Sequence, residues 1–120
     1  MNDSILRTKS KEFAKNTVFL CRRLKENRVE SVLINQLLRC GTSVGANIYE
    51  AQYAQGARDF ISKFEIALKE CNESEYWLML LFETNSISKE EFQRFQIQCV
   101  EIRRMLVSSV KTIKERAKTV

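Results

Sequence analysis

The 120-residue chain contains no histidine and no proline, and only three glycines. Without an imidazole it cannot build a Ser–His–Asp triad, a histidine-bearing zinc site or an imidazole proton shuttle. Without proline, and with every glycine confined to the stretch from Gly41 to Gly56, almost nothing interrupts helix formation. No apolar run approaches the roughly 20 residues that a bilayer-spanning helix needs. The opening MNDSILRTKSKEF also lacks the apolar stretch of a secretory signal, so the expectation is a soluble, cytoplasmic protein with no membrane partner. What is there is 44% hydrophobic and 29% charged, which excludes a disordered tail and supplies core material for a single domain over residues 1–120.

Apolar residues recur at helical spacing in four segments, predicting helices over about 4–25, 29–53, 57–83 and 88–118. Leu6, Phe13, Thr17, Leu20 and Leu24 make the stripe of the first. Leu33, Leu37, Cys40, Val44, Ile48 and Ala51 make that of the second, widened by Ile34, Leu38, Gly41 and Gly45. The third carries Phe60, Phe64, Ala67, Cys71, Ser74, Leu78 and Leu81, and the fourth Phe92, Phe95, Cys99, Ile102, Leu106, Ser109 and Ile113. Asn27 and Gly56 fall in the breaks, and Ser88 followed by Glu91 reads as a capping box at the last turn. Long helices joined by short connections must run antiparallel. The fold class is therefore all-α, an antiparallel up-down four-helix bundle.

Charge is spread unevenly around the total of +5. Residues 1–40 carry nine bases and four acids, residues 41–90 four and eight, and residues 91–120 seven and three. First and last helices are neighbours in such a bundle, so one side should be basic and the side formed by helices two and three acidic. Complementary sides on one protomer suit head-to-tail contacts, which close into rings, and the expectation is a cyclic homo-oligomer. The alternative is a monomer with a charge dipole.

Cys21, Cys40, Cys71 and Cys99 fall one per helix on the apolar stripes, with the last three at a similar level. Lacking a Cys-x-x-Cys pair or a histidine, they read as small buried hydrophobes rather than a metal site or disulfides. The acids Glu50, Glu65, Glu70, Glu73 and Glu75 cannot make a di-metal bundle without Glu-x-x-His pairs. No cofactor is expected. Asn47, between Val44 and Ile48, should be half-buried and need partners; a polar cluster with Glu50 and Lys69 or Glu70, tying helices two and three, is expected. Gly41, Ser43, Gly45 and Ala46 crowd helix two, where each glycine costs about 1 kcal/mol against alanine, so a close approach of another helix should compensate.

Bases gather at Arg22, Arg23, Lys25 and Arg28, and again at Arg103, Arg104 and Lys111 with Lys114, Arg116 and Lys118. Near helix C-termini such residues also complement the macrodipole. Together they are the candidate nucleic-acid-binding residues, their contact directed at phosphates and weakened by salt. No interleaving of aromatics with bases and no recognition-helix signature appears along the chain.

The stretch from Asn35 to Ala51, with Leu38-Arg39, Ser43-Val44 and Asn47-Ile48-x-Glu50, is followed by Phe60, Ile66-Ala67, Lys69-Glu70, Glu73 and Trp77. In these residues the chain resembles a bacterial family of small four-helix bundle proteins encoded in intervening sequences of 23S rRNA genes. Relatives serve as accessory proteins of diversity-generating retroelements. Gly45, Ala46 and Ala51 depart mildly from the family pattern, which often has Pro or Ser at the first two and Gly at the third. The resemblance implies a homopentamer packed into a barrel, no enzymatic activity, and Arg39, Ser43, Asn47 and Glu50 as a structural or interfacial motif. It also implies RNA or DNA as a partner, or a reverse transcriptase. The leading expectation is a non-enzymatic pentameric scaffold that binds nucleic acid. The alternative is a protein-interaction module that docks a partner without touching nucleic acid.

Overall fold

The computed structural model describes residues 3–118. Four helices follow one another: α1 (Asp3–Glu26), α2 (Ser31–Ala51), α3 (Ala57–Glu83) and α4 (Lys89–Lys118). Each packs on its chain neighbours, α4 returns to α1, and among the described residues no close backbone approach joins the diagonal pairs. Cross-helix pairs run in opposite directions along α1 and α4: Arg23 meets Glu91 while Lys9 meets Glu101. The result is an antiparallel up-down bundle about 54 Å long and 22 × 19 Å across.

The apolar stripes meet in one core, in which Phe13, Leu24, Leu37, Val44, Phe64, Leu78, Ile102 and Leu106 are fully buried. Each such side chain contributes roughly 1.5–3 kcal/mol by leaving water. All four cysteines are buried there as free thiols. Their hydrogens find partners, Cys21 donating to the Ile34 carbonyl at 3.7 Å and Cys71 to that of Cys99 at 3.5 Å. Burial pushes the Cys21 thiol up to about 11, and the neighbouring Cys71 thiol and burial together push Cys99 up. Cys21 and Cys99 are therefore protonated at neutral pH, and all four cysteines pack as small hydrophobes.

The helix ends have local causes. At the end of α1, Val29 N–H donates to the Leu24 carbonyl and Arg28 N–H to that of Lys25, with Arg28 left-handed at φ 59°. The α3 end repeats this with Ser86 to Leu81, Asn85 to Phe82, and Asn85 at φ 62°. Both are Schellman closures. Because Val29 is consumed by the first, α2 starts at Ser31 rather than at 29 as the periodicity suggests. It also ends at Ala51, since the N–H groups of Gln52 and Tyr53 turn back to Tyr49 and Glu50. Ser88 caps α4 by accepting from Glu91 N–H at 3.1 Å. The Glu91 carboxylate does not complete the capping box, because Arg23 takes it up.

The glycines of α2 are compensated inside the protomer. A Cβ at Gly41 would lie 2.7 Å from Thr17 Cγ2, and one at Gly45 would lie 3.3 Å from the Ser10 carbonyl oxygen. Ser10 and Thr17 are themselves buried. α1 and α2 thus approach to a distance that side chains at these two positions would prevent.

Candidate nucleic-acid interface

The expected basic residues do not form one patch. Arg22, Arg23, Lys25 and Arg28 stand at the end of the bundle where α1 finishes, whereas Lys111 lies near the opposite end, where α4 finishes. Arg103 and Arg104 lie between them, one residue and so about 100° apart around α4. Arg103 turns to α3, where it donates to Glu75 Oε1 at 2.8 Å and Asn72 Oδ1 at 3.0 Å, with Gln96 filling the other Glu75 oxygen at 3.1 Å. Arg23 makes a fork to Glu91, with Nη1 to Oε2 at 2.8 Å. These two guanidiniums are already paired with partly buried carboxylates. Among the described residues, Arg22, Lys25, Arg28, Arg104 and Lys111 have no acidic partner and remain available. Arg22 lies over the Phe19 ring, 5.9 Å from its centroid.

The helix-two motif is likewise rearranged by the structure. Asn47 is half-buried as expected, but its amide donates to the Ser43 carbonyl at 2.9 Å and hydroxyl at 3.1 Å, one turn back on its own helix. It does not reach α3. The α2–α3 cluster is built by Arg39 instead, which donates to Glu70 Oε2 at 3.0 Å and also to Glu73. Trp77 Nε1 donates to the same Glu73 carboxylate at 3.1 Å. The indole first, and then Arg39, hold the Glu73 carboxyl below its ordinary range. Glu70 belongs to the cluster as expected; Lys69 acts on it only through its charge near Glu73. Glu50 pairs with Lys63 at 3.3 Å, a second α2–α3 tie near the exposed end. Arg39 and Glu50 therefore link helices, while Ser43 and Asn47 serve one another.

Between α1 and α4 runs a groove of about 550 Å³, bordered by Phe19, Leu20, Arg94, Phe95 and Ile97. Phe19 and Ile97 are 58% and 60% exposed in it. A second groove, of about 520 Å³, lies between α1 and α2 beside Arg7, Lys11 and Tyr49. Sequence patterning missed both, since each depends on how two helices are rotated about their axes. Among the described residues no group of three or more cysteine, aspartate or glutamate side chains could hold a metal ion, and no helix is long and apolar enough to cross a membrane.

The chain is thus a small all-helical bundle whose polar chemistry consists of ion-paired seams and surface cations. A family model of the 23S rRNA-intervening sequence proteins matches residues 2–108, and the chain belongs to that family. It is also similar to the crystal structure of a protein of unknown function from the S23 ribosomal protein family of Bacteroides thetaiotaomicron. The two are 46% identical, the match covers 92% of this chain and 99% of that one, and the TM-score is 0.89. No curated protein matches the chain.

Proposed function

We propose that the protein is a non-enzymatic scaffold that assembles as a homopentameric ring and binds nucleic acid through basic surface on α1 and α4. The observation that carries this reading is the division of its cations into two sets. Arg23, Arg39 and Arg103 are spent on holding the bundle together, whereas Arg22, Lys25, Arg28, Arg104 and Lys111 have no acidic partner among the described residues. Unspent cations release counterions when they meet phosphates, and a ring multiplies each weak contact by avidity. Family membership supports an RNA-linked role.

The test is charge reversal at Arg22, Lys25 and Arg104 together, leaving the structural arginines intact. RNA and DNA binding near 50 mM salt should be lost, with helicity and assembly unchanged. Unchanged affinity would reject this surface.

A second reading, a module that docks a protein such as a retroelement reverse transcriptase, is favoured by one observation. Phe19 and Ile97 present apolar surface in the α1–α4 groove, beside Arg94. Under that reading Phe19→Ser and Ile97→Ser abolish capture of the partner and leave nucleic-acid affinity untouched.

A further inference from the structure

The end of the bundle where α1 begins and α2 finishes brings together residues nearly 40 positions apart in the chain. Tyr49, on the last turn of α2, and Tyr53, in the turn that follows, are 59% and 71% exposed. Their rings lie with centroids 5.8 Å apart at an angle of 55°, so the two form one aromatic surface. Tyr49 also walls the groove between α1 and α2, where Arg7, Lys11 and Gln52 stand around it and Gly45 and Ala46 keep the floor low.

Arg7 and Lys11 line the same groove as Tyr49, and neither forms an ion pair with any side chain described. Three carboxylates on α1, on α2 and at the start of α3 are engaged elsewhere: Glu50 with Lys63 at 3.3 Å, Glu12 with Lys15 at 3.6 Å, and Asp59 accepting from Gln55 N–H at 3.1 Å. Exposed rings beside unpaired cations on a groove open to solvent are the two components of a single-strand reader: a face on which a base stacks, and charge that holds the adjoining phosphate. Duplex nucleic acid offers the phosphates but keeps its bases stacked within the helix, out of reach of such rings.

We infer that Tyr49 and Tyr53, with Arg7 and Lys11, form a stacking site for an unpaired nucleobase and its flanking phosphate, giving the protein a preference for single-stranded over duplex nucleic acid. The inference takes nucleic acid as ligand from the proposed function but not the α1–α4 surface. It locates a separate contact at the α1–α2 groove. The ring faces, rather than the hydroxyls, do the binding, so phenylalanine serves as well as tyrosine at both positions.

The full-length protein is titrated at low salt against a fluorescent single strand of about 12 nucleotides, in RNA and DNA forms, and against a duplex of equal length. Single strands should bind more tightly than duplex, and Tyr49→Ala with Tyr53→Ala should weaken single-strand binding on the order of tenfold or more while leaving duplex affinity as it was. The Tyr49→Phe, Tyr53→Phe protein should bind like the parent. A 2-aminopurine in the strand should be quenched by the parent and not by the alanine protein. Retained single-strand affinity in the alanine protein overturns the stacking site and leaves the nucleic-acid reading standing. Equal weakening toward duplex also overturns it, as does a change in the protein's assembled mass, which would place the tyrosines in a subunit contact. Absence of binding by the parent to every probe overturns the proposed function and this inference together.

Discussion

The seam between α1 and α2 and the seam between α1 and α4 share a helix yet are built in opposite ways. Toward α2, α1 presents the buried small residues Ser10 and Thr17 to Gly41 and Gly45, and the backbones close on one another. Toward α4 it presents Lys9, Phe13 and Arg23, and contact is sparser, resting on the edge-to-face pair of Phe13 with Phe95 and on ion pairs to Glu101 and Glu91. The first seam is sealed by the absence of side chains. The second is bridged by long ones, leaving a groove with Phe19 and Ile97 in the open. Stability and availability are thus divided between the two sides of one helix.

The largest effect should come at the aromatic anchor of the open seam, Phe13. Phe13→Ala should lower unfolding free energy by about 3–5 kcal/mol, whereas Phe19→Ser, six residues along the same helix, should stay within about 0.5 kcal/mol. Urea midpoints of the two variants compare them directly, and similar losses would erase the distinction between anchor and exposed surface.

Next is the sealed seam. Gly41→Ala improves helix propensity by about 1 kcal/mol, but its methyl meets Thr17 Cγ2 inside contact distance, and overpacking of about 1–3 kcal/mol should make the balance a loss. In the Thr17→Ala background the same substitution should cost less. A double-mutant cycle by denaturation measures that coupling, and additivity would show that α1 yields without cost.

Helix positions, the burial of the cysteines and the Ser88 cap were legible in the sequence because each depends on spacing within one segment. Asn47 was misread for the same reason seen from the other side: its amide is satisfied by Ser43 on its own turn, a choice that half-burial alone does not reveal. The pairs Arg23–Glu91 and Arg103–Glu75 depend on the register between helices, which periodicity leaves open. Free and spent arginines therefore look identical in the chain. Tyr49 and Tyr53 lie far in sequence from Arg7 and Lys11, so a search for aromatics interleaved with bases passes over them. Charge by segment does not say which helix carries it: α2 itself has one base, Arg39, and one acid, Glu50.

A smaller effect separates the α2–α3 cluster by pH. Glu73 has its carboxyl held below the ordinary 4.5 in the folded protein, by the Trp77 N–H first and then by Arg39. A carboxylate with a depressed folded pKa stabilises the fold fully above its unfolded value and loses that contribution as pH falls toward the folded one. The parent should therefore lose stability more steeply below pH 4.5 than Glu73→Gln does, read from denaturation midpoints across that range. Parallel profiles would remove Glu73 from the balance. Smallest is Arg28→Gly, which relieves a left-handed non-glycine residue at the end of α1 and should raise stability by at most about 1 kcal/mol. A lowered melting temperature would show that the Arg28 side chain contributes more than its backbone costs.

The central claim, a ring whose unspent cations meet nucleic acid, is tested most directly by absolute mass from light scattering, with and without added RNA, at low and high salt. The account predicts a mass near five times the 14.1 kDa chain, increased by RNA at low salt and not at high. A monomer whose mass RNA leaves unchanged would contradict both the ring and its basic surface.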